Sequence, residues 1–267
     1  MKYLSALLCL SLSSIANAET SKKIPVAAST QIAYKIIAER SHKPSLFTEG
    51  LVINNGYFYE SSGLYAKSLL VSYPVSEPES IWAKISAPFS QRKPLVDGYF
   101  AEGLTLLNKK LYQLTWKEGT LFVVDASTFS LLGTMKYEGE GWGLTTDSKQ
   151  FIRSDGSANL FFHNINTFAL ERKISVHIND MPLANLNELE YAKGFIWANI
   201  WHDMRIVKIN PADGEVVGIV DLSTLAAALN LRDPESVLNG IAYDEDKNAF
   251  WVTGKQWPKM FLVKIYE

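Results

Sequence analysis

Glu102-Gly103-Leu104-Thr105, followed by Lys110-Leu111-Tyr112-Gln113-Leu114-Thr115-Trp116 and Thr120-Leu121-Phe122-Val123-Val124-Asp125, is the stretch that decides the fold. Its apolar runs have the length of strands, and Lys117-Glu118-Gly119 turns the second into the third. Thr128 to Met135 then supplies an outer strand. Four short strands in sequence make one antiparallel blade, a unit that cannot bury its faces alone and so is used in repeats.

The same opening recurs along the chain. Copies begin at Glu49-Gly50-Leu51-Val52, Trp142-Gly143-Leu144-Thr145, Glu188-Leu189-Glu190-Tyr191 and Asn239-Gly240-Ile241-Ala242. With Leu51, Leu104, Leu144, Leu189 and Ile241 as anchors, the steps are 53, 40, 45 and 52 residues, the length of propeller blades. The fourth copy repeats the plan through Phe195–Trp201, Arg205–Ile209, a turn at Pro211-Ala212-Asp213-Gly214, and Glu215–Val220. The expected fold is all-β: a five-bladed β-propeller with one short helical insertion, in which Ser223 caps Thr224–Leu229. Ile24 to Arg40 is read as a strand completing the last blade beside Met260–Ile265, which removes exposed sheet edges. A six-bladed ring is the structural rival.

The composition fits one large globular domain. There are 267 residues, 47% hydrophobic and 12% aromatic, with 26 Lys+Arg against 28 Asp+Glu. Disordered, collagen-like and coiled-coil classes are excluded. The charge balance lacks the basic stripe of a nucleic-acid binder.

At the start, Met1-Lys2, the apolar Tyr3 to Ile15 and Ala16-Asn17-Ala18 read as a secretory signal peptide over residues 1–18. It is too short to span a bilayer, which takes about 20 residues. The expectation is an exported protein, periplasmic or secreted, with residues 19–267 forming a single propeller domain that has no membrane partner. The one cysteine, Cys9, leaves with the leader, so core burial must supply the stability.

Familiar active-site signatures are missing: there is no His-Glu-x-x-His, no Gly-x-Ser-x-Gly and no Gly-Lys-Ser/Thr phosphate loop. Gly139-Glu140-Gly141-Trp142-Gly143 superficially resembles a nucleotide loop, but no helix pattern follows it and it falls at a blade boundary. His42, His163, His177 and His202 are scattered without ligand spacing, and no metal ligands are assigned. Phase is more informative. Counted from the anchors, Ser62 and Asp155 lie eleven residues on, Trp116 and Trp201 twelve, and Lys255 fourteen. Two residues before the anchor stand Glu49, Glu102 and Trp142. Equivalent positions of a propeller lie around one ring, so these side chains converge on one mouth of the channel. The implied site is a tryptophan-walled pocket holding one or two carboxylates and a lysine.

These residues also carry a family resemblance. Phe47-Thr48-Glu49-Gly50-Leu51, Phe100-Ala101-Glu102-Gly103-Leu104-Thr105, Leu114-Thr115-Trp116, Gly141-Trp142-Gly143-Leu144, Leu186-Asn187-Glu188-Leu189-Glu190, Ala198-Asn199-Ile200-Trp201, Val237-Leu238-Asn239-Gly240-Ile241-Ala242-Tyr243-Asp244 and Thr253-Gly254-Lys255 resemble the plant-type and bacterial glutaminyl cyclases, in order from about residue 30 to 267. The resemblance implies a five-bladed propeller enzyme, a glutaminyl-peptide cyclotransferase. Such an enzyme turns the N-terminal glutamine of peptides or proteins into pyroglutamate and releases ammonia.

It places the general acid/base on Glu102, the aromatic pocket on Phe47, Trp116, Trp142 and Trp201, and the polar contacts on Asn187 and Lys255. It requires no cofactor and allows a structural calcium in the central channel held partly by backbone oxygens; apart from the resemblance, the mature protein is expected to be a monomer. One position departs from the family: Glu49 stands where glutamine is usual, so an acceptor-only carboxylate replaces an amide that both donates and accepts.

The reaction asks for little machinery. The substrate's α-amine attacks its own γ-carboxamide, so the enzyme must chiefly hold a folded side chain. It must also take a proton from an amine whose pKa is about 7.7–8.0 and give one to departing ammonia. One carboxylate, Glu102, serves both steps if burial raises its pKa, while Lys255 or Asn187 donates to the developing oxyanion. Two alternatives come from other classes. A propeller that only binds peptides or partner proteins needs no pairing of Glu102 with Lys255, and a lactonase-like metal enzyme needs an inward carboxylate cluster.

Overall fold

The computed structural model describes residues 31–77 and 88–266. Five four-stranded antiparallel sheets are arranged as the blades of a propeller. The first strand, β1 (Ala33–Ser41), belongs to the last blade. Blade 1 is β2 (Thr48–Asn54), β3 (Tyr57–Ser62), β4 (Leu69–Pro74) and β5 (Gln91–Pro94), and blade 2 is β6 (Ala101–Leu107), β7 (Lys110–Thr115), β8 (Thr120–Asp125) and β9 (Leu131–Lys136). Blade 3 is β10 (Leu144–Thr146), β11 (Gln150–Ser154), β12 (Asn159–Asn164) and β13 (Leu170–Ser175). A small hairpin of β14 (His177–Ile178) and β15 (Met181–Pro182) follows. Blade 4 is β16 (Leu186–Ala192), β17 (Phe195–Ile200), β18 (Arg205–Ile209) and β19 (Val216–Asp221). Helix α1 (Ser223–Ala228) then leads to blade 5, made of β20 (Leu238–Asp244), β21 (Ala249–Gly254), β22 (Lys259–Tyr266) and β1.

The anchor residues all fall on the innermost strands β2, β6, β10, β16 and β20. Five blades are present, not six. The core lies between neighbouring blades, where the apolar faces of two sheets meet. Leu70 packs with Leu104 and Leu111, Leu121 with Leu144 and Phe151, Phe162 with Leu189 and Ile196, Trp197 with Ile241 and Phe250, and Trp251 with Leu51 and Phe58. Inner strands are largely buried, although they carry polar residues such as Glu49, Glu102, Asn187 and Asn239. The outer strands β9 and β13 are largely exposed.

The recurring glycine has a steric cause. A side chain at Gly50 would strike the Leu104 backbone at 2.4 Å, one at Gly103 the Leu144 backbone at 2.4 Å, and one at Gly143 the Asn187 carbonyl at 2.0 Å. Successive inner strands approach too closely for a Cβ there. The fourth copy has Glu188 instead, and its fully buried carboxylate uses the freedom differently. One oxygen accepts the Leu51 amide at 3.3 Å and the other the Ile241 amide at 2.8 Å, tying blade 4 to blades 1 and 5.

The ring closes as expected, through β1 paired antiparallel with β22, Ala33 opposite Tyr266 and Ser41 opposite Lys259. Ile32 also donates its amide to Ile219 of blade 4 at 2.7 Å. The structure differs from the sequence reading in three local places. The outer strand of blade 2 starts at Leu131, not Thr128, because Asp125 accepts the amides of Ser127 and Thr128, both at 2.9 Å, and folds those residues into the turn. Ser223 is not the helix cap: Leu222 occupies that position without a side-chain bond, and Ser223 gives its amide to Asp221 at 2.9 Å. The hairpin β14–β15 has no counterpart in the expected plan. The leader, residues 1–18, and the first part of the closing strand, residues 24–30, lie outside the described residues.

Candidate active site

Four inner strands carry a register irregularity just before their anchor: between Thr48 and Gly50, Ala101 and Leu104, Leu186 and Leu189, and Leu238 and Ile241. A bulge leaves its residue unpaired and turns the side chain out of the sheet. Glu49, Glu102, Asn187 and Asn239 sit in these bulges, and Trp142 precedes β10 at the corresponding place. Three of them, Glu49, Glu102 and Asn187, join Trp142 in lining a pocket of about 240 Å³.

A second tier comes from the ends of the second strands. Trp116 donates its amide to Phe100 at 3.0 Å, Trp201 to Asn185 at 2.8 Å, and Lys255 to Val237 at 3.0 Å, so all three leave their sheets in the same way. Two blades place a glycine at this level instead. A side chain at Gly63 would strike the Phe100 ring at 2.3 Å, and one at Gly156 the Trp142 ring at 2.6 Å. The glycines are the space into which those two rings swing.

Every residue singled out for the pocket, Phe47, Glu49, Glu102, Trp116, Trp142, Asn187, Trp201 and Lys255, lies on its wall. Ser62 and Asp155, which shared the phase, do not. Ser62 is buried and accepts the Phe47 amide at 2.9 Å, while Asp155 accepts the Ser157 amide in a local turn. Leu64, Phe100 and Glu235 complete the wall and were not singled out. For Phe100 the signal was available, since it stands two residues before Glu102 as Phe47 stands two before Glu49. Leu64 and Glu235 come from irregular connections that have no period.

The walls are aromatic and interlocked. Trp142 meets Trp201 edge to face at 5.6 Å, Phe100 meets Trp116 at 5.6 Å, and Phe47 meets Phe100 at 6.4 Å. The polar floor is one connected group. Lys255 Nζ donates to Glu49 Oε1 at 2.7 Å and lies 4.6 Å from the centre of the Phe47 ring. Asn239 Nδ2 donates to the other Glu49 oxygen at 3.2 Å, and the Glu102 carboxyl shares a hydrogen bond with Glu49.

Glu49, Glu102 and Lys255 are 1%, 6% and 5% exposed, so their charges are felt at low dielectric. Burial raises Glu49 to about 7, against the pull of the Lys255 ammonium. Burial raises Glu102 well above the ordinary carboxyl range, and the charge on Glu49 pushes it further. Both carboxyls are thus shifted toward their protonated forms, and a proton is more readily held by this pair than by ordinary carboxylates. Asn187 lies on the pocket wall, and its Oδ1 is buried without a hydrogen-bond partner among the described residues. Such a floor can hold an ammonium or amide and exchange a proton with it, between aromatic walls.

The histidines serve elsewhere. His42 binds Glu60 at 3.1 Å, and His163 stacks on Phe168 at 4.3 Å. His202 pairs with Glu235 at 3.4 Å beside the pocket mouth. Among the described residues no three His, Cys, Asp or Glu side chains converge as metal ligands.

Comparison with known proteins agrees with the geometry. The family model described as glutamine cyclotransferase matches residues 6–265. A glutaminyl-peptide cyclotransferase of Arabidopsis thaliana is 37% identical over 86% of this chain and 71% of its own length. The crystal structure of the Myxococcus xanthus glutaminyl cyclase superposes with a TM-score of 0.80 at 38% identity, covering 88% of this chain and 97% of that one. The chain belongs to the glutamine cyclotransferase family.

Proposed function

We propose that this chain is a glutaminyl-peptide cyclotransferase, closing the N-terminal glutamine of peptides or proteins to pyroglutamate with release of ammonia. The observation that carries the reading is the Glu102 carboxyl. It is raised well above its ordinary range, hydrogen-bonded to Glu49 and enclosed by Phe47, Phe100, Trp116 and Trp142. Family membership supports the same assignment.

The chemistry follows from the floor. The substrate enters as an ammonium and is drawn to the carboxyl pair, which carries one proton and one negative charge. The aromatic walls hold the glutamine side chain folded, so that the amine nitrogen faces the γ-carboxamide carbon. The ammonium first gives up one proton to solvent; as the free amine attacks and the new C–N bond forms, Glu102, whose proton is shared with Glu49, takes a second proton from that nitrogen, and Lys255 donates to the oxygen on which negative charge develops. Glu102 then returns a proton to the carboxamide nitrogen, the old C–N bond breaks and ammonia leaves. Asn187, on the pocket wall, supplies a further polar contact to the substrate.

Two further expectations belong to this proposal. The leader over residues 1–18 directs the protein to the periplasm or beyond, and the mature enzyme acts as a monomer. A channel calcium would be held partly by backbone oxygens; the nearby Glu188 carboxylate is not free for it, since both its oxygens already accept amides. No step is routed through a metal.

The test is ammonia release from a short peptide beginning with Gln, by the wild type and by Glu102→Gln, from pH 5 to 9. Release that disappears in the variant supports the reading. A wild type that releases none, at any enzyme concentration, transfers the pocket to a peptide-binding role.

A further inference from the structure

The run Gly139-Glu140-Gly141-Trp142-Gly143 remains unexplained by the mechanism above. It joins β9 to β10 at the boundary between blades 2 and 3. Glu140 stands two residues before Trp142, where blades 1 and 2 place Phe47 and Phe100. Its side chain does not line the pocket, yet it touches two of the walls. A single oxygen, Oε2, accepts the indole N–H of Trp116 at 2.7 Å and that of Trp142 at 3.0 Å. These rings come from different blades, and each is in edge contact with a further wall, Trp116 with Phe100 and Trp142 with Trp201.

The backbone that carries this carboxylate is itself held from behind. Arg153, 3% exposed, donates to the Glu140 carbonyl and, at 3.4 Å, to that of Glu138, and its Nε donates to His163 at 3.2 Å. Gly141 gives its amide to the Trp116 carbonyl at 2.8 Å. Any side chain there would strike the Tyr137 hydroxyl at 2.3 Å and the Thr115 carbonyl at 2.8 Å. Gly139 has φ +80°, a conformation that favours glycine. The two glycines thus let the loop pass close enough for one carboxylate to reach both indoles. Lys117 approaches the other oxygen at 3.9 Å while lying 3.7 Å over the Trp116 ring.

An indole N–H donates only, and in a half-buried ring it is normally paired, so its partner fixes the plane of the ring. From this we infer that Glu140 is a positioning residue: it clamps Trp116 and Trp142 at the separation that admits a folded glutamine side chain. Losing the carboxylate frees both rings at once, and through Trp142 the contact with Trp201.

The kinetic arm of the test rests on the cyclotransferase reading; the spectroscopic arm does not. Near-ultraviolet circular dichroism reports the Trp142–Trp201 pair whether or not the protein turns over. KM and kcat for a Gln-peptide report the pocket. Glu140→Ala is expected to change the indole dichroism and to raise KM about tenfold with a smaller change in kcat, since the walls hold ground state and transition state alike. Glu140→Gln keeps a carbonyl oxygen for both N–H groups and is expected to restore most of both signals. If Glu140→Ala does not fold, Trp142→Phe, which keeps a ring and gives up the N–H, should raise KM in the same direction.

Unchanged dichroism and KM in Glu140→Ala would overturn the clamp. Equal damage from Ala and Gln would overturn it too, by assigning the effect to charge. A wild type without ammonia release defeats the cyclotransferase reading alone, and the dichroism still decides whether Glu140 holds the indoles.

Discussion

Two buried carboxylates on neighbouring strands of blade 1 behave in opposite ways. Glu60 on β3 is fully buried, and it accepts from His42 at 3.1 Å, from the Thr48 hydroxyl at 2.7 Å and from the Tyr73 hydroxyl at 2.5 Å. Despite burial, these donors hold its carboxyl below the ordinary range. Glu49 on β2, with Glu102 beside it, is buried to a similar degree among aromatic rings. Lys255 is its one close cation, and both carboxyls rise. Burial by itself does not decide whether a carboxylate braces a fold or moves protons; the number of donors supplied with it does. Glu60 is saturated and structural, whereas Glu49 and Glu102 share what one lysine and one amide provide.

The comparison breaks first at Glu102. Glu102→Gln should lower kcat about 10²–10⁴-fold while leaving the thermal midpoint at or above that of the wild type, since a neutral amide replaces a buried acid. A variant that keeps its rate would remove the proton-transfer role. Glu60→Ala should do the reverse: it strands His42, Thr48 and Tyr73 and costs about 3–5 kcal/mol in urea denaturation, with kcat per folded molecule little changed.

Glu49→Gln sharpens the contrast. It removes the like charge that raises Glu102 and leaves Lys255 facing it, so the limb of the pH–rate profile governed by Glu102 should move to lower pH. An unmoved profile would make the departure from the family's glutamine neutral.

The smallest effect expected is on stability. Glu102 and Glu188 are raised well above, and Glu190 to about 8. The folded state thus keeps protons that the unfolded chain gives up. Their contribution is present below the ordinary carboxyl range and is lost as pH rises through 8. Glu190→Gln should flatten that part of the thermal midpoint against pH by a few degrees.

Much of this was legible in the sequence because a propeller converts spacing into position. Leu51 to Ile241 gave the blades, and residues at a constant offset, such as Trp116 and Trp201, were bound to meet at one mouth. What escaped depends on departures from the period. Glu235 reaches the pocket on the connection after α1, and Leu64 with φ +91° sits in a turn. The pairing of Glu49 with both Glu102 and Lys255 spans three blades and needs side-chain distances. Ser62 shows the opposite error: its phase was right, but the chain uses it to hold the backbone of Phe47.

The closure of the ring also dictates an order of events during synthesis. The first described strand, β1, has as its partner β22, the last described strand. Blades 1 to 4 consist of strands contiguous in sequence and can form as they emerge, but β1 must wait, edge exposed, until β22 is made. Pairing Ala33 with Tyr266 is among the most distant contacts the chain can make, so it dominates the entropy of closure and belongs to the slowest step of folding. Until then the half-finished blade 5 presents unpaired backbone, the point at which one nascent copy is most open to capture by another.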